Sequence, residues 1–234
     1  MSLALFDLDH TLIGGDSDYL WGRFLVEHGL VDGDDYEREN QRFYSQYQSG
    51  TLNIQEFLAF ILQPLAQHPL ATLLAWREQF MAEKIQAILL PRAFALLDRH
   101  RAVGHTLVIV TATNRFITEP IAAQLGVPHL LATEPEFSNG GYTGRVVGIP
   151  CFRQGKVERL QEWLQATGHD LTDSWFYSDS HNDLPLLERI THPVAVGPDA
   201  TLAAHARQRG WPIISLRGDY KGFAEGFPYD CQRS

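Results

Sequence analysis

The sequence predicts an α/β protein: a mainly parallel sheet with helices on both faces, interrupted near its start by an all-helical insertion. Three observations predict it. From residue 91 onward, short apolar runs alternate with helical patterns, as parallel strands alternate with crossover helices. The first apolar run, Leu3-Ala4-Leu5-Phe6, is too short for a helix and suits a buried strand. Between them, 16–88 carries helical patterns and no convincing strand.

In chain order, the first run ends in Asp7-Leu8-Asp9-His10-Thr11. On an extended backbone, side chains two apart point the same way, so Asp7 and Asp9 face one site unless the chain turns between them. Two carboxylates held together repel unless a cation or a proton lies between them. Mg2+ takes oxygen ligands from one or two carboxylates and keeps its waters. The alternative is a strand end with two solvated acids. Gly14-Gly15 marks a turn, and Asp16 or Ser17 caps a helix carrying Tyr19, Leu20, Trp21, Phe24 and Leu25, ended by Gly29. A polar helix is expected over 34–47, with Tyr36, Phe43, Tyr44 and Tyr47 as its larger apolar surfaces. Asn53 opens a third, with Glu56 completing a capping box and Pro64 ending or kinking it. A fourth runs from about 70 to 88. The expected organisation is a core of 1–15 and 89–234 with a helical cap at 16–88, hinged near 13–16 and 88–91.

Pro91 restarts the pattern at a first helical position. Strands are expected at 105–110, 129–133, 174–177, 193–196 and 211–214, with helices at 116–125, 153–166, after Asn182-Asp183, and at 202–208. Asn139-Gly140-Gly141, between Phe137 and Tyr142, reads as a hairpin turn. The Gly-rich, polar stretch 217–234 is expected to be a loosely packed tail.

The 234 residues suffice for one large α/β domain or a core with a smaller companion. A net charge of -9 without a basic block argues against broad nucleic-acid binding. Cys151 and Cys231 are the only cysteines, which suits a reducing cytosol better than a disulfide framework. Apolar runs such as 107–110 are far too short to span a bilayer, and the start lacks a signal-peptide pattern. A cytoplasmic protein without nucleic-acid or membrane partners is therefore expected, and the sequence leaves its oligomeric state open.

In an open parallel sheet, ligands bind beyond the carboxyl ends of the strands. Four polar clusters fall there: Asp7/Asp9/Thr11, Thr111/Thr113/Asn114, Lys156 at a helix start, and Asp179/Asn182/Asp183. Together they offer carboxylates for a metal, a cation for an oxyanion, and hydroxyls with helix N-termini that suit phosphate. These residue types suggest phosphoryl transfer, in which a carboxylate can be the nucleophile. Plainer readings stand beside them. Thr111 can bond its own backbone, Lys156 can be solvated, and Asn114 and Asp183 can cap helices. Asp16 can be a cap and Trp21 core. His10, His181 and Cys151 are not needed for the chemistry.

The order of the clusters resembles the haloacid dehalogenase-like hydrolases. Asp7-Leu8-Asp9-His10-Thr11 is similar to their first motif, Val108-Ile109-Val110-Thr111 to the second, Lys156 to the third, and Asp179-Ser180-His181-Asn182-Asp183 to the fourth. Ser178 and Ser180 stand where the family often has glycine. The helices between the first two motifs resemble the C1-type cap of the phosphoserine-phosphatase-like branch, subfamily IB, on a Rossmann-like core. The resemblance implies roles. Asp7 would attack phosphorus and form an aspartyl-phosphate; Asp9 would protonate the leaving alcohol and then activate water. Mg2+ would be held by the Asp7 carboxylate, the Asp9 carbonyl and the Asp179 carboxylate, with Asp183 ordering its waters and pairing with Lys156. Thr111, Lys156 and Asn182 would hold phosphoryl oxygens.

The substrate would be a small phosphorylated metabolite read by the cap. Asp16, Asp18, Tyr19 and Trp21 place acids beside aromatics, which suits an ammonium or a flat ring. Phosphoserine needs a cation for its carboxylate, with Arg23, Arg38 and Arg42 as candidates. Histidinol phosphate carries an amine, an imidazole and no carboxylate, and some members of the branch are histidinol phosphatases. It is therefore the expected substrate, ahead of phosphoserine. A phosphotransferase and a non-catalytic phosphate-binding protein are the other readings.

Overall fold

The structure is a computed structural model and describes residues 2–218. Its seven strands are β1 (Leu3–Phe6), β2 (Thr106–Asn114), β3 (His129–Ser138), β4 (Gly141–Val147), β5 (Trp175–Ser178), β6 (His192–Val196) and β7 (Ile213–Ile214). They form one sheet in the order β4-β3-β2-β1-β5-β6-β7. Every pairing is parallel except the β3–β4 hairpin. The hairpin turn is the expected one: Asn139 and Gly140 both have positive φ, as a two-residue type I′ turn requires.

The first strand lies at the centre. Leu3 to Phe6 pair with Thr106 to Ile109 on one side, and Ala4 to Phe6 with Trp175 to Tyr177 on the other. Both faces are buried, which is why the run is apolar without alternation. Ala4 and Phe6 join Ile109 and Tyr177 in one core with Trp21, Phe24, Phe80 and Phe116. Leu3 and Leu5 join Val108, Val110 and Phe176 in a second with Val157, Leu160, Leu187 and Leu202. Helices thus cover both faces. On the first side lie the inserted helices with α6 (Pro91–Ala102) and α7 (Arg115–Gln124); on the second lie α8 (Gln154–Thr167), α9 (Leu184–Leu187) and α10 (Ala200–Arg209).

The insertion holds α1 (Ser17–Glu27), α2 (Gly33–Ser49), α3 (Ile54–Ile61), α4 (Gln63–Gln67) and α5 (Leu70–Phe80). Asp16 caps α1 by accepting from the Tyr19 N–H at 2.8 Å. Asn53 caps α3 through the Gln55 and Glu56 N–H groups, and its amide reaches Glu56 at 2.8 Å. The fourth expected helix is α-helical only to Phe80; a π turn at Met81–Ile85 and a 3₁₀ turn at Gln86–Ile88 complete it. The two ends of the insertion meet. Gly14 N–H donates to the Ile88 carbonyl at 2.7 Å, and Ile13 bridges Leu89.

Several expected boundaries move. The second strand continues past Val110 through Asn114, because a register shift against β3 lets Asn114 pair with Thr133. β3 runs on to Ser138 because β4 pairs with its second half. The last strand keeps only Ile213 and Ile214. Apart from its first two residues, the stretch 217–234 lies outside the described residues, as does Cys231.

Candidate active site

The site forms where β1, β2 and β5 end side by side. Asp7 follows β1 directly, and its N–H donates to the Tyr177 carbonyl at 2.9 Å. The chain then turns: the N–H groups of Thr11, Leu12 and Ile13 all reach the Leu8 carbonyl, and His10 takes a positive φ. Asp7 and Asp9 therefore do not lie on one extended face. Asp9 instead aims at the start of α1 and the end of β2. Its carboxylate accepts from the Ser17 N–H at 2.7 Å and the Thr113 hydroxyl at 2.8 Å.

Lys156, on the first turn of α8, is 2% exposed and donates to Asp7 and to Asp183 at 2.8 Å each. Burial works to neutralise its ammonium, but Asp183 and Asp7 outweigh burial and hold its pKa above the ordinary range. Asp183 also accepts from the Ser178 hydroxyl at 2.7 Å. Thr11 reaches both Asp7, at 3.5 Å, and Asp179, at 3.3 Å. Burial, with Asp183 and Asp9 behind it, outweighs Lys156 and pushes Asp7 up to about 7. Burial, with Asp7 and Asp183, likewise raises Asp179 well above the carboxylate range. Burial and Asp16 push Asp9 up to about 6 against its hydrogen bonds.

Asp7 and Asp183 thus pair with a single ammonium, whose charge also acts on Asp179. With all three ionised they exceed that ammonium by two negative charges, the charge of one divalent cation. Among the described residues no three His, Cys, Asp or Glu side chains converge as a metal cluster. The expected set does not need one, since it draws on two carboxylates and a backbone carbonyl. All these donors are oxygen, as a hard cation that keeps its waters requires. The residues fit Mg2+.

A cavity opens above Asp7 and Asp9. Its acidic side is Asp16 and Asp18; its aromatic wall includes Tyr19, Phe43, Tyr44, Tyr47, Phe57 and Phe152; Thr111 and Thr113 close its floor and Asn40 its side. Asp18 is 5% exposed and accepts from the Asn114 amide at 3.0 Å. Burial, with Asp16 and Asp9, raises its pKa well above the carboxylate range. Tyr19 stacks on Tyr44 with ring centres 4.7 Å apart. Asn114 does two things, since its amide oxygen also caps α7 through Ile117 N–H. The Thr111 hydroxyl accepts from the Thr113 N–H at 3.3 Å, the plainer role, and lines the cavity as well.

One expected site residue stands elsewhere, and another is in place but engaged. Trp21 is fully buried against Phe24, Phe80 and Phe116 and lines no part of this cavity. Asn182 is buried, but its amide is engaged: it accepts from Arg153 and donates to the Tyr47 carbonyl and Ser180. Arg23, Arg38 and Arg42 pair with Glu27, Asp35 and Glu39 and line no part of the cavity either. Cys151 packs, and burial pushes its thiol up to about 12. The sequence reading placed Thr113 in a polar cluster without foreseeing its bond to Asp9, and assigned no role to Asn40, Phe152 or Arg153. A signal existed for α2: Tyr36, Asn40, Phe43 and Tyr47 recur at helical spacing and draw one face inward.

The model of the haloacid dehalogenase-like hydrolases matches residues 4–188. A histidinol-phosphatase of Neisseria meningitidis serogroup C is 41% identical, over 92% of this chain and 99% of its own length. A phosphoserine phosphatase of Mycobacterium tuberculosis is 31% identical, over 96% of this chain and 74% of its own. A crystal structure of a protein of unknown function from Bordetella pertussis Tohama I superposes with a TM-score of 0.87 at 45% identity, covering 92% of this chain and 99% of that one.

Proposed function

The chain belongs to the haloacid dehalogenase-like hydrolases, in their phosphoserine-phosphatase-like branch, and on that premise we propose that it hydrolyses histidinol phosphate. One observation carries the choice of substrate. The cavity beside Asp7 is lined by four carboxylates and an aromatic wall, and among its lining residues there is no Lys, Arg or His. An ammonium and a flat imidazole suit such a wall, whereas the carboxylate of phosphoserine would find no cation among these residues. The 41% identical histidinol-phosphatase supports the same choice.

In this reading Asp7 attacks phosphorus, the bond to the leaving oxygen breaks, and Asp9 donates its proton to that oxygen. A carboxyl raised to about 6 is suited to give a proton and then, ionised, to take one from water. Ser17 N–H and the Thr113 hydroxyl hold Asp9 in place for both steps. Lys156 offsets the charge on Asp7 and on the phosphoryl oxygens, and Thr111 offers them a hydroxyl. Asp7, Asp179 and the Asp9 carbonyl would hold Mg2+, with Asp183 behind them. Mg2+ bound there supplies charge neutralisation at the phosphoryl group. Asp16 and Asp18 hold the ammonium, and Tyr19 and Tyr44 face the ring. For Asn182 to meet a phosphoryl oxygen, its amide must first exchange partners. Segment 16–88 acts as the cap over a core of 1–15 and 89–234, in a cytoplasmic enzyme.

Phosphate release from histidinol phosphate, L-phosphoserine and other small phosphomonoesters, with Mg2+ or EDTA, tests the reading against Asp7→Asn. Metal-dependent turnover greatest on histidinol phosphate and lost in Asp7→Asn is expected. A preference for phosphoserine would overturn the substrate, and turnover surviving in Asp7→Asn would overturn the chemistry.

A further inference from the structure

The loop that delivers Lys156 holds a residue that the chemistry above does not use. Phe152-Arg153-Gln154-Gly155 closes a tight turn, with the Gly155 N–H donating to the Phe152 carbonyl at 2.8 Å. Arg153 has φ 49° and ψ -119°. That is the second position of a type II′ turn, where glycine fits without strain and other side chains do not. Gly155 is needed at its own position, since a Cβ there would lie 2.0 Å from the Pro150 carbonyl oxygen. An arginine at a glycine position is held there by what its side chain touches.

Its contacts converge on the end of α2. Arg153 Nη2 donates to the Gly50 carbonyl, and Nε donates to Asn182 Oδ1 at 2.9 Å. The guanidinium carbon lies 4.9 Å from the centre of the Phe152 ring. Gly50 is the left-handed C-terminal cap of α2, the helix that brings Asn40, Tyr44 and Tyr47 to the cavity wall. From the other side, Asn182 Nδ2 donates to the Tyr47 carbonyl at 3.2 Å. The His181 ring closes the contact: a Cβ on Gly50 would lie 2.6 Å from its Nε2. Below them, Phe152 packs with Phe43 and Leu52 of the insertion in a small apolar cluster.

We propose that Arg153 is a positioning residue, a latch that docks the end of α2 on the loops bearing Lys156 and Asp179. By accepting from Arg153, the Asn182 oxygen is turned toward the turn and its NH2 toward α2. One guanidinium thus fixes both the closed wall of the cavity and the orientation of the amide beside Asp183. Backbone strain in the turn is retained because the latch needs a long, forked donor where the turn alone would take glycine.

Arg153→Gly separates the two, because it relaxes the turn and removes the latch. The expected result is local: amides of 44–52 exchange with solvent about tenfold faster or more, while Tm stays at or above that of the native protein. KM for 4-nitrophenyl phosphate should rise by about fivefold or more, with kcat within about threefold. Arg153→Lys keeps a donor to Gly50 without the fork to Asn182, and should restore part of the protection at 44–52. Unchanged exchange at 44–52 would overturn the proposal. So would exchange raised evenly along the chain with a lower Tm, which would make Arg153 a stabiliser of its turn alone, and so would an unchanged KM.

Discussion

Replacing Asp7 with asparagine should make the metal-free protein more stable while abolishing turnover. Burial raises the Asp7 carboxyl from 3.8 to about 7, even with Lys156 at 2.8 Å. An acid whose pKa is higher folded than unfolded costs nothing at low pH. Its cost begins above the unfolded value and grows until pH passes the folded value, at about 1.4 kcal/mol per pH unit. From 3.8 to about 7 the accumulated cost is about 4 kcal/mol. Asparagine has the shape of the protonated acid, still accepts from Lys156, and cannot ionise. In EDTA near pH 8, Asp7→Asn should therefore exceed the native protein by about 2–4 kcal/mol in urea unfolding, shrinking below about 2 kcal/mol near pH 5. Mg2+ should stabilise the native protein more than the variant, since a ligand adds stability only where it binds. A variant no more stable than the native protein at the higher pH, or a difference that ignores pH, would refute the charge balance drawn for this site.

Three other outcomes follow from single contacts. His100 bonds Tyr177 and His105, and burial, with His105, lowers its pKa from 6.5 to about 3. Its neutral form stabilises the fold fully above 6.5, and that stability is lost as pH falls toward about 3. The native protein should lose up to about 1.4 kcal/mol per pH unit relative to His100→Gln across that window, and parallel pH curves would show that His100 contributes nothing to it. Asp18→Asn should raise KM for histidinol phosphate by about 10–100-fold and leave an uncharged-alcohol phosphomonoester within about threefold, whereas equal changes on both would remove Asp18 from ammonium recognition. Gly155→Ala puts a Cβ 2.0 Å from the Pro150 oxygen, so the turn must open and carry Lys156 away from Asp7. Turnover should fall by about 100-fold or more with a lower Tm, and full activity would mean that the turn does not set the position of Lys156.

The core was legible because burial on both faces writes strands as apolar runs, and each run ends in the polar residues that meet at the site. Leu3-Ala4-Leu5-Phe6 followed by Asp7 is the clearest case. Boundaries set by partners far along the chain were not legible. Thr111 to Asn114 look like a loop by composition, yet they stay in β2 because β3 shifts register to meet Asn114. The acids of the cavity could be read locally, since Asp16 and Asp18 sit at the start of α1. Trp21 misled because a helix start beside a cavity also has an inward face, and its neighbours Phe80 and Phe116 come from distant segments. Arg153 carried no signal at all: a positive φ and a contact with Gly50 are properties of the assembled structure, not of the residue type.

The central place of β1 has a consequence for synthesis. Leu3 pairs with Thr106, and Ala4 with Trp175, so β1 waits for partners made much later. At about 5–20 residues per second, one side stays open for about 5–20 s and the other for about 10–35 s. Until β2 is made, the apolar strand has only the inserted helices and α6 to cover it. Thr11 meets Asp179, and the Lys156 that pairs with Asp7 meets Asp183, only once β5 docks, so the stretch after β1 completes its chemical surroundings late. A nascent chain stalled before β5 would display that strand unpaired on one edge, and would be the natural target of a holding chaperone.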